Sequence, residues 1–169
     1  MLELGTDPLE IARNLIGCRL CRYRNNNVLS FEITEVEAYL GPEDLASHAR
    51  FGKTKRNAVM FGPRGFWYVY LCYGMHTMLN LTTGSESAPS AILIRSVEGI
   101  NGPGRLTKHL QIDLSFNGLP CSKASNLWIE QGQSREVITT PRIGVNYAGP
   151  IWSQKLYRYV RVTLFRKTI

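Results

Sequence analysis

The 169-residue chain lacks the features that would place a protein in a membrane or on a secretory route. No apolar run approaches the roughly 20 residues that a membrane-spanning helix needs. The first ten residues, MLELGTDPLE, carry no basic segment followed by an apolar one, so no secretory signal is visible. These absences argue against a membrane partner and favour a cytoplasmic location.

Cysteine is scarce, with four in the chain, and its spacing does not build a metal site. Cys18 and Cys21 form a C-x-x-C pair, which invites a zinc or redox interpretation. Cys72 and Cys121 stand alone, however, so the second pair of a zinc site is missing. The stretch CRLCRYR also has a strand pattern, in which residues i and i+3 face opposite sides. We therefore expect buried or half-buried thiols in a reducing compartment, with neither metal nor cofactor.

Acidic residues are in deficit. The chain has 20 Lys and Arg against 13 Asp and Glu, for a formal net charge of +7. A compact basic protein attracts polyanions, of which nucleic acid is the commonest, although charge alone is a weak indicator. Apolar residues make up 44% and charged residues 20%, which is typical of a globular protein and predicts a single domain over residues 1–169.

The order of local patterns predicts an α+β fold. TDPLEIARNLIG has the residues that typically begin and end a helix, and GPGRLTKHLQI suggests a turn and a short helix. Two hairpins are expected, one around NNN and one with Gly74 near its tip, while residues 41–64 read as an irregular loop. No regular βαβ alternation appears. Further short strands are predicted in SAILIRSVE, NLWIEQ, RIGVNYAG and LYRYVRVTL.

The stretch EITEVEAYLGPEDLASHAR, residues 32–50, contains an anomaly. Leu29, Phe31 and Ile33 lie on one face of a predicted strand, because alternate residues of a strand point the same way. Continuing that alternation brings Glu35, Glu37 and Tyr39 onto the same face. Two carboxylates and a phenol on an apolar face indicate either a poorly built strand or a functional site.

A second anomaly lies in GFWYVYLCYG, where aromatic residues crowd one hairpin. Aromatic residues form strands well and mostly pack in cores, which accounts for Trp67 and Tyr68. Tyr73 sits beside the predicted tip, where a side chain is hard to bury. An aromatic wedge on a protruding hairpin of a basic protein suits the opening of a base stack.

These segments resemble the alkyladenine (3-methyladenine) DNA glycosylase family over about residues 6–160. The resemblance implies a single compact α+β domain with a curved, mostly antiparallel sheet, surrounding helices and a protruding β-hairpin that inserts into DNA. It also implies an enzyme that flips a damaged purine from duplex DNA and hydrolyses its N-glycosidic bond, leaving an abasic site. The motifs that carry it are EAYLGPED, SHAR, KTKRN, MFGP, YVYLCYGM, ILIRSVE, GPGRLTK and RIGVNYAG.

The resemblance assigns a role to each matched residue. Glu37 corresponds to the general base that deprotonates the water attacking C1′ of the sugar. Arg95 and the carbonyl of Val145 correspond to the other partners of that water. The base pocket is assigned to Tyr39, His48, Tyr70 and Asn80, and DNA intercalation with minor-groove contact to Tyr73, Met75 and His76.

Two pocket residues have finer implied roles. His48 is expected to offer a backbone hydrogen bond to the base edge. The amide of Asn80 is expected to clash with the exocyclic 2-amino group of normal guanine. Phosphate contacts are expected from Lys55, Arg56 and Arg64 in the basic loop, while Lys53 reads as a solvated side chain.

The residue types suit this chemistry without the resemblance. Extruding a base costs a few kcal/mol, which a filling side chain and a pocket offset. Aromatic faces stack any purine, at roughly 1–3 kcal/mol per base, and favour electron-deficient alkylated ones. A carboxylate near C1′ activates water and stabilises an oxocarbenium-like state. No Lys lies within the matched catalytic motif, so we expect hydrolysis by water without strand cleavage.

Three points stay open in the sequence. Glu35 either raises the proton affinity of Glu37 or is held structurally by an Arg or a backbone N–H. His76 stands where some relatives carry a larger aromatic residue. SVEGINGPGR is short where relatives carry a longer insertion, so the loop before Gly102 is either trimmed or partly missing.

The sequence thus predicts a monomeric, monofunctional glycosylase acting on double-stranded DNA that contains 3-methyladenine, 7-methylguanine or hypoxanthine. One alternative is a non-catalytic module that captures altered bases, against which stand the polar residues Glu37, Arg95 and Asn80. Another is a hydrolase of free nucleosides, for which a basic loop and an exposed tyrosine would have no use.

Overall fold

A 13-residue strand, β2 (Asn27–Tyr39), runs through the sheet and carries the anomalous acidic residues. The computed structural model describes residues 5–162. Its strands are β1 Arg19–Arg24, β2 Asn27–Tyr39, β3 Trp67–Cys72, β4 His76–Thr82, β5 Ala91–Val97, β6 Ile100–Asn101, β7 Leu127–Glu130, β8 Val137–Thr140 and β9 Arg158–Arg161, and its α-helices are α1 Pro8–Leu15, α2 Pro103–Leu110 and α3 Gly149–Trp152.

The strands form one antiparallel sheet in the order β3-β4-β5-β2-β1-β7, with β6 on β5 and a β8–β9 pair joined to β2. The first half of β2 pairs with β1, and its second half lies between β5 and β9. The α+β prediction is therefore confirmed. The main core lies between this sheet and helices α1 and α2, and includes Leu15, Leu20, Ile33, Leu79, Leu81, Ile92, Ile94, Leu106 and Leu110.

Local signals placed the first helix and both hairpins correctly. Asp7 caps α1 by accepting a hydrogen bond from the Leu9 N–H at 2.9 Å, and Pro8 opens the first turn. Gly17 follows with a φ of +93°, and a Cβ there would lie 2.0 Å from the Gln133 carbonyl oxygen. Glycine is thus required by both conformation and space at this position.

The strand predicted in RIGVNYAG is wrong. Residues 141–149 form turns and a 3₁₀ helix at Asn146–Ala148, because Gly144 and Gly149 both take positive φ and interrupt extended backbone. Strand β8 was missed, and it pairs with β9 instead. The irregular loop at 41–64 is confirmed, with 3₁₀ helices at His48–Phe51 and Ala58–Phe61.

The connection before Gly102 is a tight turn. Val97 pairs with Ile100, and Ser96 pairs with Asn101, so β5 and β6 form a short hairpin. The chain runs directly from this hairpin into α2 at Pro103.

The predicted burial of the cysteines is confirmed. Cys18 and Cys21 are buried, and Cys72 and Cys121 are partly buried, all as free thiols. Burial raises the pKa of Cys121 to about 12, which keeps it protonated. Among residues 5–162, no helix is long and apolar enough to cross a membrane.

A buried ion pair ties the end of β2 to the segment after β8. Arg142 donates to both carboxylate oxygens of Asp44, at 2.6 and 2.8 Å, and to the Ala38 carbonyl at 2.9 Å. Both side chains of the pair are fully buried. Burial alone would lower the pKa of Arg142, but its hydrogen bonds to Asp44 hold that pKa above the ordinary value. The guanidinium therefore stays charged, and the pair fixes the loop beside β2.

Asp44→Asn is expected to destabilise the fold by about 3–5 kcal/mol, because it leaves a buried guanidinium without its counter-charge. Denaturant unfolding measures the loss. Glu86→Gln is the matched control, since Glu86 pairs with Lys53 at an exposed site, where removal should change stability by about 0.5 kcal/mol or less. Equal effects for the two substitutions would contradict a stabilising role for the buried pair.

Candidate active site

An irregularity in β2 explains how acids and core residues share one strand. The pairing register with β5 shifts between Ile33 and Val36, which leaves Thr34 and Arg95 outside the regular pairs. Ile33 packs in the core before the shift, and Val36 and Ala38 pack there after it. The apolar side of β2 therefore changes from odd to even positions. A bulge of this kind re-aims side chains, here those of Glu35, Glu37 and Tyr39, away from the core.

Glu37 is the centre of the site. Its position on β2 lies between Leu93 of β5 and Arg158 of β9, and its side chain has no exposed surface. Oε1 accepts a hydrogen bond from the Ile143 N–H at 2.7 Å, and Oε2 accepts one from the Tyr39 hydroxyl at 2.8 Å. Arg95 Nη1 lies 3.5 Å from Oε2. Donors from three parts of the chain therefore hold this buried carboxylate in a fixed orientation.

Glu35 anchors Arg95. Its Oε1 accepts from Arg95 Nε at 2.9 Å and from Arg158 Nε at 2.6 Å, while Oε2 accepts from the Ser96 hydroxyl at 2.7 Å. Burial would raise the pKa of Glu35, but the hydrogen bonds from Arg158 and Ser96 and the charge of Arg95 leave that pKa below its usual value. This geometry supports the structural alternative for Glu35.

Tyr39 links the carboxylate to an aromatic pocket. Burial, followed by the negative charge of Glu37, raises the pKa of Tyr39 well above its ordinary value. The phenol is therefore a donor to Glu37. Its ring faces the Arg142 guanidinium, whose carbon lies 4.8 Å from the ring centroid.

The pocket is a small cavity of about 50 Å³ that opens into a cleft of about 580 Å³. Tyr39, His48, Tyr70 and Tyr147 line both. The His48 and Tyr70 rings meet edge to face with centroids 4.7 Å apart. The cavity lining also includes Ala46, Met60, Tyr68, Asn80 and Ala91, whereas Arg95 and Val145 line the cleft.

His48 is neutral and rigidly held. Burial, with the nearby charges of Arg56 and Arg50, lowers its pKa to about 4. Nδ1 lies 2.8 Å from the Tyr68 hydroxyl, and burial raises the pKa of Tyr68 to about 12, so that hydroxyl keeps its proton. The His48 carbonyl accepts from Asn57 Nδ2 at 3.0 Å, which leaves its N–H as the backbone group for a ligand.

Asn80, predicted to line the base pocket, and Val145, predicted to contact the water, lie at the cavity and at the cleft respectively. Asn80 is buried and donates from Nδ2 to the Tyr68 carbonyl at 3.1 Å, which leaves its oxygen as the free end of the amide. The Val145 carbonyl already accepts from the Ala148 N–H at 2.9 Å. A carbonyl oxygen has two lone pairs, so one remains available to a water.

The tip of the β3–β4 hairpin protrudes as predicted. Tyr73 and Gly74 have φ values of 50° and 69°, and the Met75 N–H bonds the Cys72 carbonyl at 3.2 Å. Positive φ at both central residues is the requirement of a type I′ turn. Tyr73 is 90% exposed, Met75 is also exposed, and a bulky residue in this conformation is strained.

The basic residues are distributed unevenly around the site. Arg56 lies over the Tyr70 ring at 5.3 Å and donates to the Leu71 carbonyl, so it sits against the hairpin beside the cleft. Lys55 is exposed on the same loop, and Lys53 pairs with Glu86. Arg64 precedes β3 at the base of the hairpin, where it donates to the Gly5 carbonyl. Of the three expected phosphate contacts, Lys55, Arg56 and Arg64, Arg56 is therefore the one that lines the cleft.

The sequence did not single out four contributors to the site. These are the Ile143 N–H, the buried guanidinium of Arg142, the Arg158 partner of Glu35 and the Tyr68 partner of His48. The first two lie in the quoted motif RIGVNYAG. Its single charged residue, Arg142, stands beside apolar and small residues, and this was the available signal that the arginine is buried. Within residues 5–162, no group of three or more His, Cys, Asp or Glu is arranged to hold a metal ion.

Comparison with known proteins assigns the chain to a family. The family described as Methylpurine-DNA glycosylase matches residues 3–101 and 98–163. A relative from Nitrosococcus oceani is 39% identical over 164 residues, covering 85% of this chain and 80% of the relative. Relatives from an Anaeromyxobacter strain and from Methanocella arvoryzae are also 39% identical, covering 90% and 83% of this chain and 83% and 81% of the relatives. All three bear the name "Putative 3-methyladenine DNA glycosylase".

The family match spans nearly the whole chain, and the identities lie well above the level at which relationship is in question. The matched residues include the segments that supply Glu37, Arg95, Tyr39 and the loop at Ile143. The chain therefore belongs to the methylpurine-DNA glycosylase family and is a DNA glycosylase, a hydrolase of N-glycosyl bonds.

Proposed function

We propose that this glycosylase flips damaged purines out of duplex DNA and hydrolyses their N-glycosidic bond with a water activated by Glu37. The observation that carries the proposal is the Glu37 carboxylate, fully buried beside an aromatic pocket and held by donors from Tyr39, Ile143 and Arg95. Glu37 lies behind the pocket wall, and its Oε2 partners Tyr39 and Arg95 both line the cleft, a placement that supports a chemical role for this buried carboxyl group.

The pocket suits a flipped purine. Tyr39 stands on the carboxylate side, and His48 and Tyr70 supply further aromatic surface that also lines the cleft, so a flat base that enters from the cleft can stack on it. A neutral His48 does not repel a cationic alkylated base, and electron-rich rings favour one. These properties support the cationic bases 3-methyladenine and 7-methylguanine as substrates in double-stranded DNA. Hypoxanthine as a further substrate and a monomer as the active form are proposed from the family resemblance.

The reaction balances without a covalent enzyme intermediate. The bond from C1′ to the base nitrogen breaks, and the electron pair leaves with the base. The water oxygen bonds to C1′ while its proton passes to Glu37, which can also stabilise the positive charge that develops on the sugar. Arg95 and the second lone pair of the Val145 carbonyl help to place the water. Asn80 excludes the 2-amino group of guanine by steric clash, since its free amide oxygen is an acceptor and does not repel that donor.

Glu37→Gln is expected to keep affinity for lesion-containing duplex and to reduce base release by about 10²–10⁴-fold, because the amide cannot take the proton from water. Single-turnover release of hypoxanthine or 3-methyladenine measures the rate. Glu98→Gln, at an exposed glutamate on the β5–β6 turn, is the control and should retain normal release. Full activity of Glu37→Gln would remove Glu37 from its proposed role.

Tyr73→Gly is expected to lower excision from duplex DNA by about 10–100-fold, because the hole left by the flipped nucleotide is no longer filled. Glycine accepts the positive φ at this position without strain, so the fold should be as stable as the parent. Lesion-duplex affinity, excision rate and thermal unfolding are measured together with those of Tyr73→Ala. Unchanged affinity and excision in both variants would show that the hairpin tip has no part in flipping.

His48 predicts a pH dependence of stability. Its folded pKa of about 4 lies below the ordinary 6.5, so the unfolded chain binds a proton in this interval while the folded protein does not. Stability from this group is complete above about pH 6.5 and falls by up to about 3 kcal/mol as the pH drops to 4. His48→Gln should flatten this part of the denaturation profile relative to the control His109→Gln. An unaltered slope in His48→Gln would contradict a neutral buried imidazole.

A further inference from the structure

We propose that Tyr39 is a positioning residue for the reaction, whose phenol sets the orientation of the Glu37 carboxylate while its ring forms a wall of the base pocket. One side chain would then couple the seating of the base to the placement of the oxygen that activates water. The inference rests on the proposed function of Glu37 and goes beyond stacking as the role of Tyr39.

The two functional ends of Tyr39 reach different parts of the site. Its hydroxyl lies 2.8 Å from Glu37 Oε2, and its ring lines both the small cavity and the cleft. The residues are two apart on β2, so their side chains leave the strand on the same side. Burial keeps the phenol protonated, and its hydrogen therefore points to the carboxylate.

Each oxygen of Glu37 has one short hydrogen bond. Oε1 is fixed by the Ile143 N–H at 2.7 Å, while Oε2 is fixed by Tyr39, because Arg95 is more distant at 3.5 Å. Without the phenol, Oε2 would keep only the longer contact. The carboxylate plane would then be free to turn about its terminal bond, where rotational preferences are broad.

The ring is held independently of any ligand. The Arg142 guanidinium lies 4.8 Å from the Tyr39 ring centroid and is itself fixed by Asp44. Its neighbour Ile143 donates to the other Glu37 oxygen. A base stacked on the free face of Tyr39 would therefore press on a side chain whose only polar end contacts the carboxylate, which is the physical basis of the coupling.

A test of pH dependence must take account of every charge near Glu37. The titratable and charged groups around Glu37 come from each element packed against it, and Tyr39→Phe changes none of them except Tyr39 itself. They are Glu35 and Tyr39 on β2, Arg95 on β5, Tyr70 on β3, Arg142 after β8 and Arg158 on β9.

The experiment compares Tyr39→Phe with Tyr157→Phe. Tyr157 also stacks on Arg142, at 5.2 Å, but donates no hydrogen bond to Glu37. For Tyr39→Phe we expect single-turnover excision of hypoxanthine from duplex to fall about tenfold, since a charge-assisted hydrogen bond is lost, while lesion-duplex affinity is kept. The acid limb of its pH–rate profile should move to higher pH, because a carboxylate that loses a donor is protonated more readily.

Tyr157→Phe should match the parent in rate, affinity and pH profile. The proposal is overturned if Tyr39→Phe keeps the parental rate and acid limb, or if its rate and affinity fall together as for a packing defect. Tyr39→Leu, which removes ring and phenol, should lose affinity as well as rate, and thermal unfolding of each variant reports folding separately. Glu37→Gln in the same assay separates failure of the Tyr39 proposal from failure of the proposed function, since full activity of Glu37→Gln would overturn the proposed function itself.

Discussion

The Glu37 carboxylate is the group on which the rest of the site depends. Its removal from water costs several kcal/mol, and a single charge-assisted hydrogen bond returns only about 1.5–3 kcal/mol, so one donor is not enough. Two short bonds, from Tyr39 and from the Ile143 backbone, and the longer contact with Arg95 together meet this requirement. The loop at 141–149, β5 and β2 must all be in place for the Glu37 carboxylate to keep these three donors.

The residues that contact Glu37 are themselves held by a second set of charged groups, and these groups are also paired with one another. Glu35 accepts hydrogen bonds from both Arg95 and Arg158, and its Ser96 partner accepts one from the Gly102 N–H at the start of α2. On the other side, the buried pair of Arg142 and Asp44 holds the loop that carries Ile143. Each charge beside Glu37 is thus balanced by a partner from a different element, which makes the site rigid and ties it to the fold.

Much of this arrangement could be predicted from the sequence, and the failures share a cause. Helix α1 and the hairpins follow from caps, turn residues and alternation, which act within a few residues. The resemblance named Glu37, Arg95 and Tyr39, and the structure brings these three together. The register shift at Ile33–Val36, the non-strand conformation of 141–149 and the pairing of Arg142 with Asp44 depend on partners far along the chain, and no local pattern announces them.

The pocket and the carboxylate differ in charge for a physical reason. Burial favours the uncharged forms of His48, Tyr68, Tyr70 and Tyr39, so the aromatic surface is electrically neutral at physiological pH. Glu37 differs from these groups in its surroundings, because a backbone N–H, a phenol and a guanidinium are all directed at its carboxylate oxygens. Under the proposed function, a neutral slot discriminates bases by stacking and shape, while the anion acts on the sugar. Tyr39 lies at the boundary between these two environments and belongs to both.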